Sequence, residues 1–343
     1  MTKRRLLISL LIAVVGATAL LLGAQRVFAS GNRAASVTDG IVDVTTNLAY
    51  QNASAAGTGM VLTSSGEVLT NNHVIRGATT IRVTDPSTGK KYAATVVGYD
   101  LAADVAVLKL SGASGLKTVS LGDSSKVKVG AAVTALGNAG GAGGTPIAAS
   151  GSITALGQSI TASDEDGTSE RLTGLIGINA GVQPGDSGGP LVDSSGQVVG
   201  MDTAASAGFA FRFQSGGSQA YAIPINRAIA IANEIEAGRS ATAHIGATAF
   251  LGIEIQAATY FTNGQTTTGA LVAGVVGSSP AAKAGLAYGD VIVSLNSHAV
   301  ASPTTLTSLL QKTLPGKRVL IRWIDQYGTS HTAHVTLASG PPQ

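Results

Sequence analysis

Beyond Ser30 the chain is a succession of short apolar runs, each closed by Gly, Ser, Asn or Asp. Runs of this length and punctuation read as strands joined by tight turns. They include Gly59–Thr63, a Ser64-Ser65-Gly66 turn, Glu67–Asn71, Ile81–Thr84, Thr95–Tyr99, Val105–Leu110 and Ala131–Gly137. The pattern points to an all-β barrel or sandwich. Near Asn226 the period changes, and Ala228, Ile229, Ile231, Ala232 and Ile235 recur at helical spacing. Asn226 is the expected N-cap and Gly238 the expected stop. That helix is expected to close a first domain over 30–236. Small and polar residues 237–248 read as a linker into a second domain over 249–340.

The N-terminus bears on the compartment. Lys3-Arg4-Arg5 precedes an apolar run from Leu6 to Ala24, and Val27-Phe28-Ala29 offers a small-residue cleavage site. Residues 1–29 therefore read as a signal peptide, with an uncleaved membrane anchor through 6–24 as the rival, since that run is long enough to cross a bilayer. Either way the positive segment stays inside and the remainder is delivered outside the cytoplasm, so an extracytoplasmic, secreted or envelope-associated protein is expected.

The formal charge of +3 is carried by that leader, because Lys3, Arg4, Arg5 and Arg26 meet no acid there. Without them the balance is about −1, and no basic stripe with interleaved aromatics follows. A nucleic-acid partner is not expected. The chain has no cysteine, which excludes disulfides, thiolate catalysis and cysteine-based zinc sites. No cofactor and no metal are expected.

One constellation carries chemistry. Gly185-Asp186-Ser187-Gly188-Gly189-Pro190 flanks a serine with residues that let backbone crowd a substrate carbonyl. Backbone N–H groups of the Gly185-Asp186-Ser187 stretch, Gly185 and Ser187 above all, could then face a developing oxyanion. A serine hydroxyl is a weak nucleophile until a base takes its proton. His73, in Leu69-Thr70-Asn71-Asn72-His73-Val74-Ile75, is the one histidine between Ser30 and Ala243. An acid must hold the imidazole tautomer. Asp104 precedes the apolar run Val105-Ala106-Val107-Leu108, which would withdraw its carboxylate from water. Asp100 and Asp123 sit in turn-like surroundings, where aspartate usually caps or is solvated, and rank behind it. The order His, Asp, Ser is that of chymotrypsin-type enzymes.

Thr58-Gly59, Leu69 through Val74, Asp104 through Leu108 and Gly185 through Pro190, together with Ala222-Ile223-Pro224, resemble the HtrA-like serine proteases. The likeness is nearest to the secreted actinobacterial and mycobacterial enzymes of the PepA kind. The resemblance implies an all-β chymotrypsin-like double β-barrel with the triad between the barrels, and a possible homotrimer. It also places the floor of the S1 pocket at Gly181 and Val182, with Thr203 and Ala204 beside it. No acid stands at that floor to pair a buried lysine or arginine, so small apolar P1 residues are expected. Asn179-Ala180-Gly181-Val182 stands where many relatives have Asp-Ala-Ala-Ile, and the loop Gly137-Asn138-Ala139-Gly140-Gly141 lacks a proline common after that asparagine.

The second domain resembles a small α+β PDZ domain. Phe250-Leu251-Gly252-Ile253 matches the loop whose N–H groups hold a peptide's C-terminal carboxylate. Ser279 through Leu286 and Gly289 through Asn296 match further PDZ positions. A helix is expected from Pro303 to about Thr313, with Ser302 as N-cap and Leu306, Leu309 and Leu310 inward. A peptide would add as a strand between that helix, at Leu306, and the strand after Gly252.

Other stretches read blandly. Gly137–Gly144 lacks the Gly-Lys-Ser/Thr ending of a phosphate loop. Asp164-Glu165-Asp166-Gly167 misses calcium-loop spacing and reads as a solvated hairpin tip. His331 and His334, three apart on a strand, would face opposite sides. Two functions remain: an endopeptidase acting on unfolded or damaged protein, its PDZ domain recruiting C-terminal peptides, or a non-catalytic, chaperone-like peptide binder.

Overall fold

A computed structural model describes residues 37–163, 169–203, 220–262 and 265–342. The leader, Asp164–Gly167 and Ala204 lie outside them. Among the described residues no helix is long and apolar enough to cross a membrane.

Six strands form the first barrel: β1 (Ile41–Leu48), β2 (Ala53–Val61), β3 (Glu67–Thr70), β4 (Thr80–Thr84), β5 (Lys91–Asp100) and β6 (Val105–Leu110). They run β5-β4-β1-β2-β3-β6, and pairing of β5 with β6 closes the ring. The second barrel takes β7 (Ala132–Gly137), β8 (Ile147–Ser163), β9 (Ser169–Ile178), β10 (Pro190–Asp193), β11 (Val198–Asp202) and β12 (Ala220–Pro224), ordered β10-β11-β12-β9-β8-β7. Both are closed, so neither leaves a sheet edge.

Alternation explains the packing. Along β4 the side chains of Ile81 and Val83 point into the first barrel while Thr80 and Arg82 face water. β6 is buried on both faces: Ala106 and Leu108 fill the barrel, and Val105 and Val107 turn to a second core between the barrels. There they meet Ile41, Met60 and Leu69 from their own barrel, and Leu136, Val192, Met201 and Ile223 from the other. This shared apolar seam fixes the barrels against each other and positions the loops that meet above it.

Two helices serve the barrels. The short α1 (Asn72–Ile75) follows β3, and α2 (Ile225–Glu236) lays Ile225, Ala228, Ala232 and Ile235 on the seam. The expected cap of α2 is corrected: Pro224 occupies the capping position and Asn226 lies inside the helix. Its side chain is engaged elsewhere, donating to Asp123 Oδ1 at 2.8 Å and accepting from Ser124 N at 3.1 Å.

The stretch expected as a linker is held down. His244–Ile245 forms β13, which adds to β5 of the first barrel. β14 (Thr248–Phe250) then enters the second domain, whose sheet holds β15 (Ile253–Thr262), β16 (Gln265–Val275), β17 (Val291–Leu295), β18 (His298–Ala299), β19 (Arg318–Ile324) and β20 (Ser330–Thr336). Its main order is β15-β16-β17-β19-β20, and β14 pairs separately with β21 (Ala338–Gly340). Helices α3 (Pro280–Ala284) and α4 (Pro303–Gln311) are each capped by a serine hydroxyl, Ser279 accepting from Ala282 N and Ser302 from Thr305 N. The domain rests on the first barrel through a Tyr50–Phe250 ring stack, a Tyr99–Thr248 hydroxyl contact at 3.2 Å and a bond from Gly77 N to Pro342 O at 2.8 Å.

Candidate active site

The loop ending in Ser187 leads directly into β10, and its glycines are sterically required. Gly185 has φ +100°, and a Cβ there would lie 2.2 Å from Asn138 O; at Gly188, φ +86°, one would lie 2.2 Å from Thr58 O. Only glycine permits both the left-handed backbone and the approach. Thr58, fully buried in β2, is the hub. Its N–H donates to Ser187 O at 2.8 Å, its hydroxyl donates to Gly185 O at 2.7 Å and accepts from Asn138 N at 2.9 Å, and its own carbonyl accepts from Thr70 Oγ1 at 2.7 Å. The serine loop of one barrel is thereby bolted to a strand of the other.

His73 sits on α1, directly after β3. Its ring Nδ1 lies 2.8 Å from Asp104 Oδ2, and its backbone N–H donates to Asp104 Oδ1 at 3.0 Å. Val74, the next residue, packs at Gly57 beside Ser187 O. Asp104 is 3% exposed and holds a left-handed φ of +54°, a conformation aspartate tolerates better than most residues. Its Oδ2 also accepts from Thr203 Oγ1 at 3.1 Å, and its carbonyl accepts from Asn71 Nδ2 at 2.9 Å. Asp100 and Asp123 work elsewhere. Asp100 accepts from Ala103 N and Thr242 Oγ1, and Asp123 from Ser125 and Asn226, bonds that hold Asp123 well below the usual carboxylate range.

The structure thus brings His73 and Asp104 into direct contact and fastens the Ser187 loop to β2 of the same barrel. Gly185 N–H makes no backbone hydrogen bond among the described residues, whereas Asp186 N–H donates to Gln183 O at 3.0 Å. Asp186 is corrected as an oxyanion donor for that reason: its amide serves the turn. Thr203, expected beside the S1 floor, gives its buried hydroxyl to Asp104. Gly181 is exposed, with open space where a Cβ would stand, and Val182 packs partly on the barrel core.

Beneath the serine loop lies a second pair of acids. Asp202 is fully buried, and neither of its carboxyl oxygens has a hydrogen-bond partner among the described residues. Burial, with the neighbouring Asp186 charge, raises its pKa well above the carboxylate range, and burial raises that of Asp186 too, against the bond its Oδ2 accepts from Gln183 N. The backbone of Asp202 is tied to the same loop, accepting from Gly188 N and donating to Gly189 O.

In the second domain Phe250 stacks on Tyr50, Leu251 is buried, Ile253 is half-buried, and Gly252 holds φ +83° with its Cβ position filled by Ser279. Leu306 is fully enclosed in the domain core, so it packs α4 onto the sheet and does not face a groove. Leu309 and Leu310, half-buried beside it, are the apolar side chains α4 leaves partly open.

The comparisons agree with this geometry. Residues 57–201 match the trypsin-like peptidase domain family, and residues 249–330 match the PDZ domain family. Two families thus match successive parts of the chain, a trypsin-like peptidase domain over the barrels and a PDZ domain after them. It is 34% identical over 319 residues to serine protease PepD of Mycobacterium tuberculosis, covering 89% of this chain and 65% of that one. It is 36% identical over 287 residues to a probable periplasmic serine protease of the do/HhoA-like type from Haemophilus influenzae, covering 82% and 58%. The chain therefore spans less than two thirds of the length of these relatives. Among solved structures it is similar to the HtrA-type protease AlgW with tripeptide, at TM-score 0.51 and 28% identity, over 91% of this chain and 98% of that one.

The sequence marks Thr58 only as part of a resembling dipeptide, and it does not show the bond from Thr203 to Asp104. The signal present was a small hydroxyl residue inside an apolar strand, which must find a partner when buried.

Proposed function

We propose that this chain is an exported serine endopeptidase in which His73, Asp104 and Ser187 act as one catalytic unit. The observation that carries the reading is the His73–Asp104 contact of 2.8 Å in the barrel to whose strand β2 the Ser187 loop is fastened. Asp104 holds the imidazole with its proton on Nδ1, which leaves Nε2 to act as base. His73 takes the Ser187 proton as the hydroxyl attacks a peptide carbonyl, and returns it to the leaving amine. Gly185 N–H and Ser187 N–H stabilise the oxyanion, and water then hydrolyses the acyl-enzyme. Gly181, open and without an acid beside it, supports small apolar P1 side chains.

Similarity to periplasmic serine proteases supports delivery outside the cytoplasm, and similarity to AlgW with tripeptide supports peptide binding. We assign C-terminal peptides to the Phe250–Ile253 loop, and unfolded or damaged polypeptides as substrates. A homotrimer and a tether through residues 6–24 belong to the same proposal. A fluorophosphonate probe tests it: the wild type becomes labelled and Ser187→Ala does not. Equal labelling of both, or of neither, would overturn the reading in favour of a binding module.

A further inference from the structure

The sheet of the PDZ domain has two ends. β15, at one end, is the edge expected to take a peptide. β20 closes the other end and has no strand partner on its outer side among the described residues. Exposed edges are normally blunted by lysine, proline or a bulge. β20 reads Ser-His-Thr-Ala-His-Val-Thr and pairs with β19 in unbroken register, so it carries none of these guards.

A cavity of about 650 Å³ opens between this strand and α3. Its long side is the continuous stretch His334–Ser339, which is the last three residues of β20, then Leu337 and the start of β21; α3 contributes Pro280, Lys283 and Ala284, and the stacked rings of Tyr50 and Phe250 form the end wall. That size is within the range of specific ligand sites. A helix beside an unguarded edge strand is the arrangement that captures an extended chain by strand addition. The charge of the lining selects the occupant. Lys283 and His334 are basic, and no carboxylate lines the cavity.

We infer that the groove between α3 and β20 is a second peptide site, which takes an extended acidic segment of a polypeptide as an added strand on β20. Its acidic side chain lies over Lys283 and His334, and its main chain pairs with the β20 edge. The site shares the Phe250 ring with the carboxylate loop and backs onto the rest of it, because Ser279, which lines the cavity, donates its hydroxyl to Gly252 O at 3.2 Å and fills the Cβ space of Gly252. Through Tyr50 it also touches the first barrel.

The inference does not depend on catalysis, so it is tested on the full chain carrying Ser187→Ala. The probe is a fluorescent, C-terminally amidated hexapeptide of β-forming residues with two glutamates, read by anisotropy. Amidation removes the carboxylate that the Phe250–Ile253 loop would hold. Lys283→Glu should weaken binding by about tenfold or more at unchanged melting temperature, and a probe with lysines in place of the glutamates should regain it on that variant. Binding unchanged by Lys283→Glu, or displaced by a free-carboxylate C-terminal peptide, would overturn the inference.

Discussion

Replacing Thr203 with valine removes one hydroxyl from the site and little of its shape. Asp104 receives three donors at its carboxylate: His73 Nδ1 at 2.8 Å, His73 N at 3.0 Å and Thr203 Oγ1 at 3.1 Å. The first two come from the residue it must orient, so Thr203 is the independent anchor that stops the carboxylate swinging with the ring. A hydrogen bond to a charged group contributes about 1.5–3 kcal/mol. If that anchoring is felt in the transition state, kcat falls roughly 10- to 150-fold while KM moves little. Thr203→Ser keeps the donor and should restore most of the rate. The assay is steady-state hydrolysis of a short peptide ester with melting temperatures as a folding control. Valine within about twofold of wild type would refute the anchoring role.

Asp202→Asn should stabilise the protein increasingly as pH rises. The folded carboxyl is raised by burial and by Asp186, so its contribution is complete below the unfolded value near 4 and is lost as pH climbs through the folded one. Denaturant midpoints should coincide near pH 4 and separate by pH 8; a gap constant with pH would contradict the assignment. Gly185→Ala should abolish activity and cost at least about 1 kcal/mol, because φ +100° and the 2.2 Å approach to Asn138 O both exclude a Cβ, and a soluble, active variant would show that the loop can relax. Leu306→Ala should cost about 2–5 kcal/mol in the unfolding of the PDZ domain, since the side chain is wholly enclosed, and a loss of peptide affinity at unchanged stability would instead place Leu306 in the groove.

What was legible in the sequence was what local pattern dictates. The Gly-flanked serine, the apolar run behind Asp104 and the hydroxyl cap Ser302 need only near neighbours, and the elements they announce are present. β1 was missed because Asp43, Thr46 and Asn47 interrupt its apolar residues. Those polar side chains are placed by tertiary partners, as where Asp43 accepts from Gly144 N at 3.0 Å. Asn226 carries a good capping side chain, but a turn more than 100 positions away in sequence claims it. The supposed linker became a strand because β5 runs on past the end of β4 and offers the outer side of Gly98 and Tyr99 for pairing. Thr58 and Thr203 join residues that only the docking of two barrels brings together, and no spacing along the chain announces that.

The central claim is that His73 and Ser187 act as one unit, and a double-mutant cycle addresses it most directly. With a common peptide substrate, His73→Ala and Ser187→Ala should each lower kcat/KM by roughly 10⁴- to 10⁶-fold, and the double variant should be no worse than the poorer single one. Losses that multiply would mean that the two side chains contribute independently, and the account of the site would be wrong.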